Sequence, residues 1–371
     1  RGLVESGALV PIPTGWRVEP SEMVHVQSSR HAAAFLARRI ELLPKKTIKL
    51  LSVGAVLGKE FDLHRAATLA ALSTEEAMGA VQEAHQRHII WFKSTNDRCA
   101  FIHDKLRQTL LDRLPESECR QLHLHAAIHF ELESPDRIYD LAYHFDAAGE
   151  SCRALPYALG AAEKARAQHA LELAEEQYRI AQRGVSGDDD AILYRVTEGL
   201  GDVLMLRGLY PSAAECFRVA RTVAENNSAR AEIEGKLGEL AFKQGNNRAA
   251  SEALERSLRL LGRIVPSSPS LFLLFLVWEV IFQVMHTVLP MRFLGRRNLH
   301  GAETEFLAIN QYLHLGRAYF FDRGKIPCLW AHLRAMNLAE RYPPTHELGH
   351  AWATHAPVMS LLPWLNRGEA F

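Results

Sequence analysis

The stretch LGDVLMLRGLYPSAAECFRVA, residues 200–220, has a counterpart 37 residues later in LGELAFKQGNNRAASEALERS, residues 237–257. Apolar and small residues recur at matching offsets in the two copies: Leu200, Gly201, Leu204, Gly208, Ala213, Phe217 and Ala220, then Leu237, Gly238, Ala241, Gly245, Ala250, Leu254 and Ser257. Spacings of three to four residues are typical of helices, and the central glycine divides each copy into two. Each copy is therefore predicted to form two antiparallel helices that touch at the small residues.

These offsets resemble the tetratricopeptide repeat, in which a bulky residue of one helical pair plugs the next pair. Gly201 and Gly238 are 37 residues apart, about three more than the usual repeat period of about 34. We therefore expect one turn between repeats to be about three residues longer than usual. An earlier unit matches less fully, at Ala162, Ala174, Tyr178 and Ala181. Stacked pairs of this kind predict an α-solenoid over residues 118–264, with a groove for a protein or peptide ligand.

Upstream of the repeats, short helical segments follow one another. Residues 44–56 are apolar at helical spacing, and Asp62 is placed to cap a second, short helix. Ser73 and Glu76 have the spacing of a capping box, in which each side chain binds the backbone amide of the other. The sequence therefore predicts three helices before residue 89.

A hairpin is predicted next, and its two segments, 89–92 and 99–102, are the two places that look like strands. A helix over residues 103–114 follows. Three helices and a two-stranded wing are the order of a winged helix, which we place at residues 1–117. The predicted fold is thus mainly α: a winged helix with a small β-hairpin, then a tetratricopeptide-like α-solenoid.

Composition excludes several classes of protein. The 371 residues include 43 basic and 43 acidic ones, so no chain-wide basic field exists for nucleic acid. The expected recognition helix, residues 74–88, carries Glu75, Glu76 and Glu83, which would repel phosphates. Five scattered cysteines form no disulfide framework or cysteine zinc site and fit a reducing compartment. We expect a cytoplasmic protein with no nucleic-acid partner.

Residues 271–289 form a strongly apolar run within an insert at residues 265–297. Its length just suffices to span a bilayer. However, Glu279, Gln283 and His286 would form a polar stripe along one helix face, and a charge in mid-span is costly in lipid. We expect a buried or groove-lining helix and no membrane contact, with a membrane-anchored sensor as an alternative. Residues 298–371 are predicted to return to helical repeats.

Several motifs, taken in order, resemble large bacterial signalling ATPases of the STAND class. GALVPIPTGW (7–16) is similar to the end of the ATPase module, and LLSVGAVLGKEF (50–61) to its winged helix. FIHDKLR (101–107) resembles the F-x-H-D-x-x-R signature that opens the last helix of the winged module. LAYHFDAAG (141–149) resembles the junction between the winged module and the repeats in these ATPases. Their repeat region is resembled by three later segments of this chain, residues 323–327, 330–334 and 337–345.

The resemblance implies a regulatory role within a longer protein that also carries a kinase or nucleotide cyclase output domain. It further implies that His103 of the His-Asp pair reaches the diphosphate of bound ADP. Asp104 would cap the following helix and Arg107 would add positive charge. The alternative is that His103 merely ends the strand and packs, with Asp104 as a helix cap.

This chain lacks the phosphate loop G-x-x-x-x-G-K-[ST] and any apolar strand that ends in acidic residues to hold magnesium. We therefore expect no catalytic residue, no enzyme activity and no cofactor in this chain, which we take to be a piece of a longer protein. ATP or ADP and magnesium would bind an upstream nucleotide-binding domain of the parent protein. The repeats would sense a partner and relay its presence to that ATPase and the output domain.

HELGH, residues 346–350, is a literal H-E-x-x-H and offers a different function, a zinc-dependent hydrolase. His346 and His350 would bind zinc, and Glu347 would act as general base. The longer zincin pattern requires a Gly and then a third zinc-binding His at the positions that Ala353 and Ala356 occupy here. His355 comes one residue before the position that the third ligand would need. We treat this motif as a decoy and predict no metal. His125 and His129 are likewise expected to be ordinary helix residues.

Overall fold

The computed structural model describes residues 9–12, 15–18, 40–93, 97–187 and 189–359, most of them helical. Contacts divide the chain into two compact units, Arg1–Ala158 and Leu159–Phe371. The first contains a winged helix, and the second contains stacked helical pairs. The predicted mainly α fold class is confirmed.

The winged helix follows the predicted order of helices and hairpin. Its second and third helices begin as predicted: the Asp62 carboxylate accepts a hydrogen bond from the Arg65 amide at 2.9 Å, and Ser73 and Glu76 form a complete capping box. The elements in chain order are β1 (Leu9–Ile12), β2 (Gly15–Val18), α1 (Lys45–Leu57), β3 (Glu60–Asp62), α2 (Leu63–Leu69), α3 (Thr74–Gln86), β4 (Ile90–Lys93), β5 (Arg98–Phe101) and α4 (Asp104–Asp112).

Strands also form where the sequence does not predict them. β3 pairs antiparallel with β5, Phe61 opposite Cys99, so the wing is a three-stranded sheet in the order β3-β5-β4. β1 pairs with β2, Leu9 opposite Val18. The expectation that only the two hairpin segments form strands is therefore wrong. β3 is three residues long and its partner β5 lies more than 30 residues further along the chain, so no local pattern indicates their pairing.

Two contacts hold α1 in the winged helix. The Phe61 ring packs directly on Gly54, where a Cβ atom would lie 2.6 Å from the ring. Arg107 of α4 donates a hydrogen bond from Nε to the Ala55 carbonyl at 2.8 Å. The glycine and the arginine thus serve the packing of this unit.

Two further helices, α5 (Glu116–Glu133) and α6 (Ile138–Ala147), belong to the same compact unit. Arg65 of α2 lies over the Phe130 ring, 5.1 Å from its centroid, and donates to Ser134 Oγ at 3.2 Å. Because α5 packs on α1 and α2, the helices after the wing extend its core.

The predicted repeats form helical pairs. Phe217 packs on Gly201, Leu254 on Gly238 and Tyr178 on Gly199. The turn glycines Gly208 and Gly245 have φ values of 76° and 77°, in the left-handed region that favours glycine. The helices are α7 (Ser151–Ala167), α8 (Leu171–Gly184), α9 (Asp190–Leu206), α10 (Tyr210–Val223), α11 (Asn227–Lys243) and α12 (Asn247–Leu260).

Gly201→Ala is expected to lower the free energy of unfolding by about 2 kcal/mol, because the added methyl group would crowd the buried Phe217 ring. Its Cβ would lie 2.5 Å from that ring. Gly160→Ala in α7 is the matched control: its Cβ meets nothing within 4 Å, so the better helix propensity should stabilise by about 0.5–1 kcal/mol. Urea unfolding followed by circular dichroism measures both. Equal stabilisation by the two substitutions would contradict the close packing at Gly201.

The second unit continues beyond α12 with α13 (Pro269–Val288), α14 (Pro290–Phe293), α15 (Glu303–Asp322), α16 (Lys325–Ala339) and α17 (His346–Met359). α15 packs on α12 and α16, and α13 packs on α16. By length and composition, α13 qualifies as a candidate membrane span. Of the two alternatives expected for α13, a buried or a groove-lining helix, the buried one is wrong: its polar stripe faces inward, and most of its large apolar side chains are exposed, several of them lining a groove.

Candidate protein-interaction surface

Charged side chains on the first helices of three successive pairs bind one another across the repeats. Arg195 of α9 donates from Nη2 to Glu163 Oε1 of α7 at 2.7 Å. Arg166 of α7 donates to Asp202 Oδ2 at 3.1 Å, and Lys236 of α11 donates to the same oxygen at 2.8 Å. Lys236 also binds Glu198. We call this set the charge ladder: Glu163, Arg166, Arg195, Glu198, Asp202 and Lys236.

The ladder is charged although its centre is half-buried. Burial raises the pKa of Asp202 to about 6, an effect larger than the opposing pull of Lys236. Burial alone would lower the pKa of Lys236, but the adjacent Asp202 and Glu198 raise it. Lys236 is therefore a firmly held cation between two carboxylates, and Asp202 is the carboxylate that takes up a proton most easily.

Ion pairs on the second helices are of two kinds. Arg248 and Glu252 of α12 are exposed and one turn apart on the same helix, and such pairs contribute little to stability. Glu234 of α11, in contrast, binds Arg221 of α10 and Arg256 of α12, so second helices also pair across repeats.

The charge ladder differs from these pairs because it joins the first helices of three successive pairs. Sequence reasoning missed it, although the spacing of Glu198 and Asp202 places both on one helix face.

The predicted nucleotide-sensing residues lie at the start of α4. His103 is the N-cap residue, but its ring makes no capping hydrogen bond. Asp104 is exposed, and its carboxylate lies 3.5 Å from Lys59 Nζ. It therefore forms an ion pair, and the helix has no side-chain cap of the kind expected from Asp104. His103 is also exposed, whereas Arg107 is partly buried and bound to the backbone of α1. Two of the three side chains therefore face solvent.

The H-E-x-x-H motif lies on α17, with the His346 and His350 ring centroids 6.4 Å apart. Burial lowers the pKa of His350, and the nearby Arg317 lowers it further. Within the part of the chain that the structure describes, no group of three His, Cys, Asp or Glu side chains could hold a metal ion. The His355 side chain lies outside the described residues.

A buried histidine pair links α5 and α6. The Nδ1 atoms of His123 and His144 are 2.9 Å apart, within hydrogen-bond distance. Burial lowers the pKa of His123 to about 4 and that of His144 to about 3, so both rings are neutral near pH 7. His125 and His129 lie on the same helix as His123 but outside this pair: His125 is exposed, and His129 lies beside Glu133, 3.1 Å away.

No protein-family model matches this chain, and no curated protein matches it significantly. A solved structure with similarity is a Signal Transduction ATPase with Numerous Domains (STAND) protein with a tetratricopeptide repeat sensor from Pyrococcus horikoshii. It shares 12% identity over 88% of this chain and 49% of that chain, with a TM-score of 0.36. This chain therefore spans about half the length of that protein.

Another solved structure is PilF of Pseudomonas aeruginosa, which shares 18% identity over 64% of this chain and 99% of that one. Its TM-score is 0.28. Scores this low establish neither a common family nor a common function. The helical-pair architecture described above stands on the packing of this chain itself.

Proposed function

We propose that this chain is a regulatory, protein-interaction segment of a multidomain signal-transduction ATPase. Its helical pairs bind a protein or peptide partner. The winged helix relays the bound state to an ATPase and to an output domain, neither of which is in this chain. The observation that carries the proposal is the charge ladder, which joins the first helices of three successive pairs.

The ladder favours an extended, charged peptide segment as the ligand. Solenoids present their repeats side by side, so a ligand can contact several repeats at once. The side chains of Arg195 and Glu163 are exposed enough for a ligand to reach. Lys236 and the two carboxylates that bind it are more buried. A ligand that carries both signs of charge can replace partners at both places without leaving a buried charge unpaired.

Support for the signalling context comes from the order of the motifs and from the winged helix that precedes the helical pairs. In this proposal the upstream nucleotide-binding domain of the parent protein binds ATP or ADP with magnesium, in the cytoplasm. His103 and Asp104, both exposed at the start of α4, would face that domain. Arg107, bound to the Ala55 carbonyl, would position α4 rather than touch a phosphate.

Arg195→Glu is expected to weaken peptide binding at least tenfold, about 1.4 kcal/mol, because it places a second carboxylate beside Glu163 and removes a cation from the surface. Peptides selected from a random phage-displayed library against the wild-type chain serve as probes, and isothermal titration calorimetry measures their affinities. Arg248→Glu is the matched control, since Arg248 is exposed and pairs within its own helix. Unchanged affinity of Arg195→Glu, or failure to select any peptide, would contradict the proposal.

A further inference from the structure

α13 is built with its polar face toward the protein. Glu279 and His286 are each 1% exposed. Glu279 accepts hydrogen bonds from Arg334 Nη1 at 3.0 Å and from Asn337 Nδ2 at 2.8 Å, both on α16. In the last turn of α13, His286 Nδ1 lies 2.7 Å from Glu340 Oε2. Glu279 and His286 are thus enclosed and bonded, and the Gln283 side chain between them is enclosed without a hydrogen-bond partner among the described residues.

The opposite face of α13 is apolar and exposed. Leu274 is 63% exposed and Trp278 56%, and a groove of about 390 Å³ lies among the side chains at this point. Exposed apolar side chains continue past the end of α13 to Met291, which is 90% exposed. We call this set the outer apolar face: Leu273, Leu274, Val277, Trp278, Ile281, Val284, Val288, Leu289 and Met291.

Positive charge adjoins one end of the outer apolar face. Arg292 and Arg296 are exposed, and neither has an ion-pair partner among the described residues. Over residues 264–302 the sequence contains a single acidic residue, Glu279, and that carboxylate is buried against α16. The exposed surface of this segment is therefore apolar and basic, with no exposed carboxylate.

We propose that the outer apolar face, together with Arg292 and Arg296, is a peripheral binding surface for an anionic lipid bilayer. Apolar side chains enter the boundary between headgroups and acyl chains, and the arginines bind the anionic headgroups. A second copy of the chain fits less well. It would bring the same arginines and no exposed acidic residue from residues 264–302 to pair with them.

The contacts of α13 indicate that it lies along the membrane surface and does not cross it. A spanning helix would have to give up the bonds from Glu279 to Arg334 and Asn337. It would then carry a carboxylate at the centre of the bilayer, at a cost of a few kcal/mol or more. With α13 parallel to the surface, these bonds stay intact and only the outer apolar face meets lipid.

The test is co-sedimentation of the complete chain with vesicles of phosphatidylcholine alone or mixed with phosphatidylglycerol. We expect binding to the anionic vesicles at least about tenfold tighter than to the neutral ones, and a blue shift of tryptophan fluorescence. Leu274→Glu and the double variant Arg292→Glu/Arg296→Glu should each weaken that binding about tenfold or more. Leu132→Glu is the matched control for the leucine, since Leu132 is 80% exposed on α5, outside the proposed surface.

A matched control for the arginines is Arg218→Glu/Arg248→Glu, because both side chains are exposed on second helices. Circular dichroism checks that each variant is folded. Absence of binding to anionic vesicles, or unchanged binding by the Leu274 variant, would overturn the proposal. So would a stable dimer in sedimentation velocity that Leu274→Glu dissociates, because a second copy would then cover the face. Recovery of the chain only in detergent would overturn the peripheral placement in favour of a span.

Discussion

Arg334→Ala is expected to lower the free energy of unfolding of the second unit by about 3 kcal/mol, because it leaves a buried carboxylate without its cation. Glu279 is 1% exposed, and Arg334 Nη1 donates to its Oε1 at 3.0 Å. Asn337 would remain as a neutral donor, which cannot offset the charge. Removing one partner of a buried pair costs more than removing both, so Glu279→Gln/Arg334→Met should recover a large part of the loss.

Urea unfolding at neutral pH measures these variants. Arg248→Ala is the control, because its exposed pair with Glu252 should change stability by less than about 1 kcal/mol. If Arg334→Ala proved as stable as Arg248→Ala, the polar face of α13 would not be held against α16. The inward orientation of the stripe, on which the proposed lipid surface depends, would then be wrong.

Acid is expected to destabilise the first unit through its buried histidine pair. In the fold, burial lowers the pKa of His123 to about 4 and of His144 to about 3, whereas both regain an ordinary value of 6.5 when the unit unfolds. Below pH 6.5 the unfolded chain therefore binds more protons than the folded one. The stability contribution is complete above that pH and is lost as the pH falls toward 4. Between pH 7 and pH 5 the loss is about 4 kcal/mol for the two rings together.

His144→Gln should roughly halve this pH dependence, since one of the two titrating groups is gone. Hydrogen exchange resolved to α5 and α6, at a series of pH values and urea concentrations, gives the stability of this region. His125→Gln is the control, because His125 is exposed and should leave the slope unchanged. An identical slope in His144→Gln and in the wild type would show that other groups cause the acid sensitivity.

Features encoded by residues close together in sequence could be predicted. The capping box at Ser73 and Glu76 needs only a spacing of three residues. The glycine and aromatic positions of the repeats recur at fixed offsets, so the packing of Phe217 on Gly201 follows from the pattern. In the same way, the spacing of Glu279, Gln283 and His286 predicts a polar stripe on one face of α13.

Features that depend on the arrangement of distant segments could not be predicted. The polar stripe in the sequence of α13 does not tell whether that face points toward the protein or toward solvent. It points inward because Glu279 binds Arg334 and Asn337, which are more than 50 residues away in the chain. The charge ladder requires the relative rotation of three helical pairs. His123 meets His144 only because α6 folds back on α5. In each case the decisive partner lies on another element.

The central claim is that the helical pairs bind a peptide segment through the charge ladder. The most direct measurement uses a selected peptide that carries a photo-crosslinking residue, with the attachment sites on the wild-type chain mapped by mass spectrometry. Attachment within α7, α9 and α11, near Glu163, Arg195 and Lys236, is the predicted result. Attachment confined to α8, α10 and α12, or to the winged helix, would contradict the claim.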